Sequence, residues 1–247
     1  MRHHNPALRS SYFVHSSSNS GALRLQGVAF KTALLLGLSL LSAAWVWHAF
    51  ALAADLQTLQ RYASGGGMAS FVLALATLWR PRWAVVTAPA YALCKGLSLG
   101  SLSLVLEVFY PGVARQALPL TFAILAAMLL LYGTGIVRVS PGLRGFVLSA
   151  MGGLLLFYLS VWLLRLLGFA VPYLHEGSLL SIGLSLFIVG LASVNLLLDF
   201  DFIERARHSG APRYMEWYSA FALLLTLVWL YLELLQLLVR LRERNRR

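Results

Sequence analysis

The chain has 247 residues, 59% of them hydrophobic and only 12% charged, with a formal net charge of +11. Apolar runs of about 20 residues recur from end to end, each long enough to cross a bilayer, so the composition excludes a soluble domain and implies a polytopic membrane protein. No stretch alternates polar and apolar residues as an outer-membrane barrel strand does, which makes the fold class all-α, and the basic excess sits in loops and tails where anionic headgroups account for it without nucleic acid.

Residues 1–27 carry serines, Arg2, Arg9, Arg24 and three histidines without sustained periodicity, and they read as a disordered, basic tail. His3 and His4 alone are too little for a metal site. The first predicted span is 32–53. Its end, Ala51-Leu52-Ala53, imitates a signal-peptidase site, but the apolar run is longer than a usual signal and the preceding tail is long, so an uncleaved first helix is expected. An outer loop with Asp55, Arg61 and Gly65-Gly66-Gly67 then leads to a second span, 68–79, and Arg80-Pro81-Arg82 makes a tight basic turn.

The third span, 85–106, holds Lys95 near its middle, and Gly96 and Gly100 at a spacing that permits close helix packing. It also holds Cys94, the only cysteine, which leaves no intrachain disulfide and no zinc site. Residues 96–100 match the G-x-S-x-G pattern of serine hydrolases, but that motif needs a strand-to-helix elbow and here it falls inside an unbroken apolar helix. No H-E-x-x-H is present, and His48, His175 and His208 lack ligand spacing, so nothing in the sequence supports an enzyme.

Tyr110-Pro111-Gly112 forms the next turn, followed by a fourth span, 117–137, and a basic loop with Arg138, Pro141 and Arg144. The fifth span, 146–169, has Arg165 near its end, where a long side chain can snorkel, and the 172–178 loop carries His175 and Glu176. A sixth span, 179–199, a polar connection, 205–213, and a seventh span, 217–239, containing Glu233, complete a membrane domain over 28–240. A basic C-terminal tail, 241–247, follows it.

With seven alternating spans, the N-terminal tail, the Arg80/Arg82 turn, the Arg138/Arg144 loop and the Arg205/Arg207/Arg213 loop share one side. The positive-inside bias makes that side the cytoplasm. The multi-pass protein is then placed with its N-terminus cytoplasmic. The arginine-rich C-terminus falls outside against that rule, and a seventh segment that fails to cross fully is the alternative.

The stretch VNLLLDFDFIE at 194–204 ends an apolar helix in acids. Asn195 and Asp199 share a helix face, which Ser185 and Ser181 continue inward. Ionisable residues at membrane depth usually face the bundle or a wet cavity and mark an ion or proton path. Asp201 and Glu204 read equally as a solvated helix end. Lys95 and Glu233 each need a partner or a water-lined cavity, since a lone charge near the bilayer centre costs on the order of 3 kcal/mol. They are expected to pair with each other; the alternatives are a neutral buried amine for Lys95 and snorkelling for Glu233.

LLLDFDFIE at 196–204, MEWY at 215–218 and LVWLYLELL at 227–235 resemble the bacterial branch of the Bax inhibitor-1-like family. Support comes from AYALCKGLSLG at 90–100, Tyr110-Pro111-Gly112 and 152–158 in matching order. The resemblance runs from Lys31 onward. It implies a seven-helix inner (plasma) membrane bundle with the last helix surrounded by the other six. It also implies a proton-sensitive calcium leak, with calcium as permeant ion and no cofactor, in which an acid of the sixth helix shares a proton with an acid of the seventh and holds the pore shut.

By motif, Asp199 matches the first acid and Glu233 the second, so the expected pathway residues are Asp199, Glu233, Lys95, Asn195 and Asp201. Two departures stand out. The segment between the two acids is longer than in better-known relatives, and Lys95 stands where relatives tend to carry glutamate, although a cation there repels calcium. The alternative function is a non-conducting membrane regulator that binds another membrane protein, such as a protease.

Overall fold

The computed structural model describes residues 22–50, 55–167 and 179–246. Residues 1–21, the Ala51-Leu52-Ala53 motif and the 172–178 loop with His175 and Glu176 lie outside the described residues. The protein is all-α. Seven helices are long and apolar enough to cross a membrane: α1 (Leu25–Phe50), α2 (Leu56–Trp79), α3 (Ala84–Phe109), α4 (Val113–Gly133), α5 (Pro141–Leu166), α6 (Leu179–His208) and α7 (Met215–Arg246).

α7 is the most buried of them and packs against α1, α3, α4 and α6, while α5 attaches mainly to α6. Its inward residues Phe221, Leu224, Leu230, Leu234 and Leu235 are fully buried. Lipid tails are as apolar as leucine, so this core is held by close packing and by hydrogen bonds between helices rather than by expulsion of water.

The packing explains where helix boundaries depart from the sequence expectation. α2 starts at Leu56, so Gly65-Gly66-Gly67 lies inside a helix and not in an outer loop. Asp55 caps α2 by accepting from the Gln57 N–H (3.1 Å) and the Thr58 hydroxyl (2.5 Å), and these bonds hold its carboxyl below the usual range. Gly66 is where α2 and α3 touch: a side chain there would strike the Cys94 carbonyl at 2.7 Å. Gly100 gives α1 the same close approach, since an added Cβ would lie 2.7 Å from the Ala43 Cα. The Ser98 hydroxyl of the G-x-S-x-G match donates to the Ala63 carbonyl (2.8 Å), which makes it a packing hydroxyl between helices.

The basic loops gather at one end of the bundle. Leu23, buried at 3% exposure, donates to the Ala211 carbonyl (2.9 Å), so this segment docks on the α6–α7 connection, and residues 22–27 are not part of a disordered tail. Arg82 lies over Tyr214 at 6.0 Å, and Arg144 bridges to Asp201. α7 runs the full depth of the bundle and past residue 240. At the far end the Tyr110 hydroxyl donates to Glu243 (2.5 Å), and Arg242 lies against the Gly112 turn. The seventh helix is therefore long enough to cross a membrane and runs from one end of the bundle to the other, and the C-terminal arginines sit at the end opposite the other basic loops.

At the basic end, Glu216 is 2% exposed at the start of α7, where it accepts from Lys31 of α1 and from the Arg24 backbone N–H (3.0 Å). Gly27 leaves room for that carboxylate, and Lys31 also lies over the Trp217 ring at 5.4 Å. Removing one partner of a buried pair strands the other charge. Lys31→Met is expected to destabilise the bundle by about 3 kcal/mol, and Lys31→Met with Glu216→Gln to recover most of the loss; melting curves in lipid nanodiscs check both.

Candidate functional site

The polar stripe of α6 faces α7 along its whole length. At the basic end, the Thr226 hydroxyl donates to Asp199 Oδ2 (2.6 Å) and accepts from the Asn195 amide (3.1 Å), forming a three-residue network between the two helices. Toward the opposite end, Arg240 of α7 donates to the Ser181 carbonyl (2.9 Å) and to the Ser185 hydroxyl. Between these polar stations the seam is tightly packed: Ile188, Ala192, Leu196 and Leu230 are all buried. Asp199 closes the apolar run that starts at Leu179, so its carboxyl sits where the seam meets the basic end.

Glu233 does not join Asp199. It is 4% exposed, accepts from the Trp229 indole one turn back (3.2 Å), and lies within electrostatic reach of Arg240 and Tyr158. Its backbone is two turns, about 10 Å, beyond Thr226, which holds the place opposite Asp199. The expected pair of acids is thus an acid and a threonine. The reason is the length of the connection: α7 begins at Met215, and seventeen residues of helix carry Glu233 about 25 Å from Glu216, past the level of Asp199.

Lys95 does not pair with Glu233 either. α3 and α7 run parallel, with Tyr91 packed edge-on against Phe221 (5.1 Å) and Ser103 hydrogen-bonded to Tyr231 (2.7 Å). That register sets Lys95 near the level of Leu224, about 13 Å short of Glu233. Among the described residues no carboxylate forms an ion pair with Lys95.

Asp201 is two residues beyond Asp199 and so points away from α7. It bridges to Arg144 of α5 and to Arg205, each at 2.8 Å, while Glu204 meets Arg207 (3.7 Å) and His208 (3.1 Å). Both acids are the ion-paired helix end that the sequence left open for them, and Asp201 also ties α5 to α6.

Three residues of consequence have no role that the sequence alone assigns. Thr226 is the only serine or threonine after Ser219, a signal available in the sequence and masked by interest in acids. Lys31 and Glu216 sit at the ends of two different helices, and no spacing rule links them.

A family model described as Bax inhibitor 1 like matches residues 5–243. No curated protein and no solved structure matches the chain.

Two outcomes follow from this geometry. Thr226→Val keeps the shape and removes the hydroxyl shared by Asn195 and Asp199, so it is expected to cost about 1–2 kcal/mol of stability in nanodisc melting, with Thr226→Ser costing less. Lys95→Met strands no carboxylate and is expected to leave the melting temperature unchanged or higher; a fall comparable to that of Lys31→Met would show that Lys95 has a partner.

Proposed function

The chain belongs to the Bax inhibitor 1-like family, and we propose that it mediates or regulates a proton-sensitive cation leak, calcium foremost, with Asp199 as the responsive group. The observation that carries the reading is the Asn195–Thr226–Asp199 network at one mouth of the α6–α7 seam. A carboxylate, a hydroxyl and an amide carbonyl are the oxygen donors that hard cations prefer. Next to them the buried Ile188, Ala192 and Leu230 form an apolar stretch of the kind that shuts a pore by excluding water. Adding or removing one proton at Asp199 changes both the charge at the mouth and the bond that ties α6 to α7. Parting of that seam would connect the mouth to the Glu233–Arg240 region on the other side of the constriction.

Thr226 makes this a one-acid device. A hydroxyl shares no proton across the seam in the way a second carboxyl does, so gating follows a single titration and not the coupled steps of an acid pair. The positive-inside bias supports a cytoplasmic position for the basic end, with Arg80, Arg138, Arg144, Arg205 and Arg213, and the resemblance supports a bacterial inner membrane.

The second reading, a non-conducting regulator that binds another membrane protein, is favoured by Lys95, a half-buried residue with no ion-pair partner among the described residues, whose charge would repel calcium from its surroundings. Purified protein in liposomes loaded with a calcium dye separates the two. Expected is a flux whose pH dependence has the steepness of one proton and disappears in Asp199→Asn while Glu233→Gln retains it. Wild-type vesicles that pass no calcium between pH 5 and 8, an interval spanning the range over which buried carboxyls can titrate, would leave the regulator reading standing.

A further inference from the structure

α1 and α4 both pack on α7 but scarcely touch each other, and between them lies a cavity of about 470 Å³. Its floor is α7, through Leu224, Leu227 and Tyr231, and its far wall is α3 at Gly100 and Ser103. Its lining is almost wholly apolar. The hydroxyls that reach it are already engaged: Ser39 with the Leu36 carbonyl (2.9 Å), Thr121 with the Ala117 carbonyl (2.8 Å) and Ser103 with Tyr231 (2.7 Å). Such a space offers water no unsatisfied partner. Its mouth is bordered by the exposed side chains of Leu40, Leu118 and Phe122, which face the bilayer.

Length and charge identify what fills it. From Leu36 at the deep end to Trp47 at the rim, the α1 wall is eleven residues, about 16 Å, which is half the thickness of a hydrocarbon core and hence one leaflet. At the rim stands Arg115, near the start of α4, with its side chain 72% exposed. Its Nε and one Nη meet Glu107 at 2.8 Å, which leaves the guanidinium's other donors at the level where phosphates lie.

We propose that the cleft between α1 and α4 is a phospholipid site, which takes one acyl chain from the leaflet at the C-terminal end of α7 and holds the phosphate at Arg115. The chain would lie against the central helix at Leu224–Tyr231, directly across α7 from its seam with α6. Bilayer composition would then reach the buried helix without passing through the loops.

The test uses the full chain in nanodiscs of phosphatidylethanolamine and phosphatidylglycerol doped with a phosphatidylglycerol that carries a photoreactive group near the end of one chain. Expected are adducts on residues 224–231 and on Leu36, lowered about tenfold by Ala44→Phe or by Leu118→Trp, which fill the cleft from opposite walls, with adducts on the lipid-facing Leu155 and Leu159 of α5 unchanged. Arg115→Gln is expected to remove the preference for this probe over a diacylglycerol probe with the same chains. Labelling of wild-type α7 no stronger than that of α5, labelling insensitive to both filling variants, or cross-links joining two copies through α1 and α4 would each overturn the proposal.

Discussion

A helix enclosed by other helices inside a bilayer has no water to fall back on, so each polar side chain it carries must find its partner within the protein. α7 is that helix. Glu216 is met by Lys31 of α1, Thr226 by Asn195 and Asp199 of α6, Tyr231 by Ser103 of α3, and Arg240 by Ser181 and Ser185 of α6. The apolar surface between these points would pack nearly as well after a slip of one turn. The polar contacts would not survive it, because each is tied to one level on one neighbour. They fix the depth and rotation of α7, and through it the arrangement of the bundle.

The span count, the helical class and the inward face of α6 were legible in the sequence because each rests on a property of single segments: hydropathy, length and period. Ser181, Ser185, Asn195 and Asp199 do share one face, and all four engage α7. What was not legible was register between segments. Asp199 could be assigned to the seam, but its counterpart depends on how far α7 rises before it reaches that level, and this is set by where the helix starts, at Met215. Resemblance supplied an acid, and geometry supplies Thr226. The same limit hid the α2 boundary. Three glycines in a row read as a loop when α2 is taken alone, but the middle one, Gly66, is a helix contact once Cys94 of α3 is seen against it.

Asp199 and Asp201 show how little residue type decides. Two positions apart on a helix, they differ by about 200° in direction. One meets a neutral hydroxyl within the seam, and the other meets two guanidinium groups at the helix end. The first is part of a contact between two helices. The second, bound to Arg144 and Arg205, serves to fasten α5, which otherwise has little hold on the bundle.

The arginines at the end of α7 raise a matter of insertion, since they stand opposite the side that collects the other basic loops. Acids at that end offset part of their charge. Glu243 accepts from Tyr110, and Glu107 accepts from Arg115 and from the Gly112 backbone N–H (2.9 Å), so two carboxylates lie in the turn over which Arg242 folds. By the time α7 is made, six preceding helices have set the orientation, and topology rules weigh late charges less than early ones. Glu216 adds a constraint at the other end: once it is bound to Lys31 and the Arg24 backbone, the start of α7 is fixed to the start of α1. With that end fixed and Arg240 bound to the first turns of α6, 24 residues of helix between Glu216 and Arg240 span about 36 Å, enough to cross the whole hydrocarbon core. The contacts at its two ends therefore hold α7 as one continuous helix long enough to cross the core, whatever the charge beyond it.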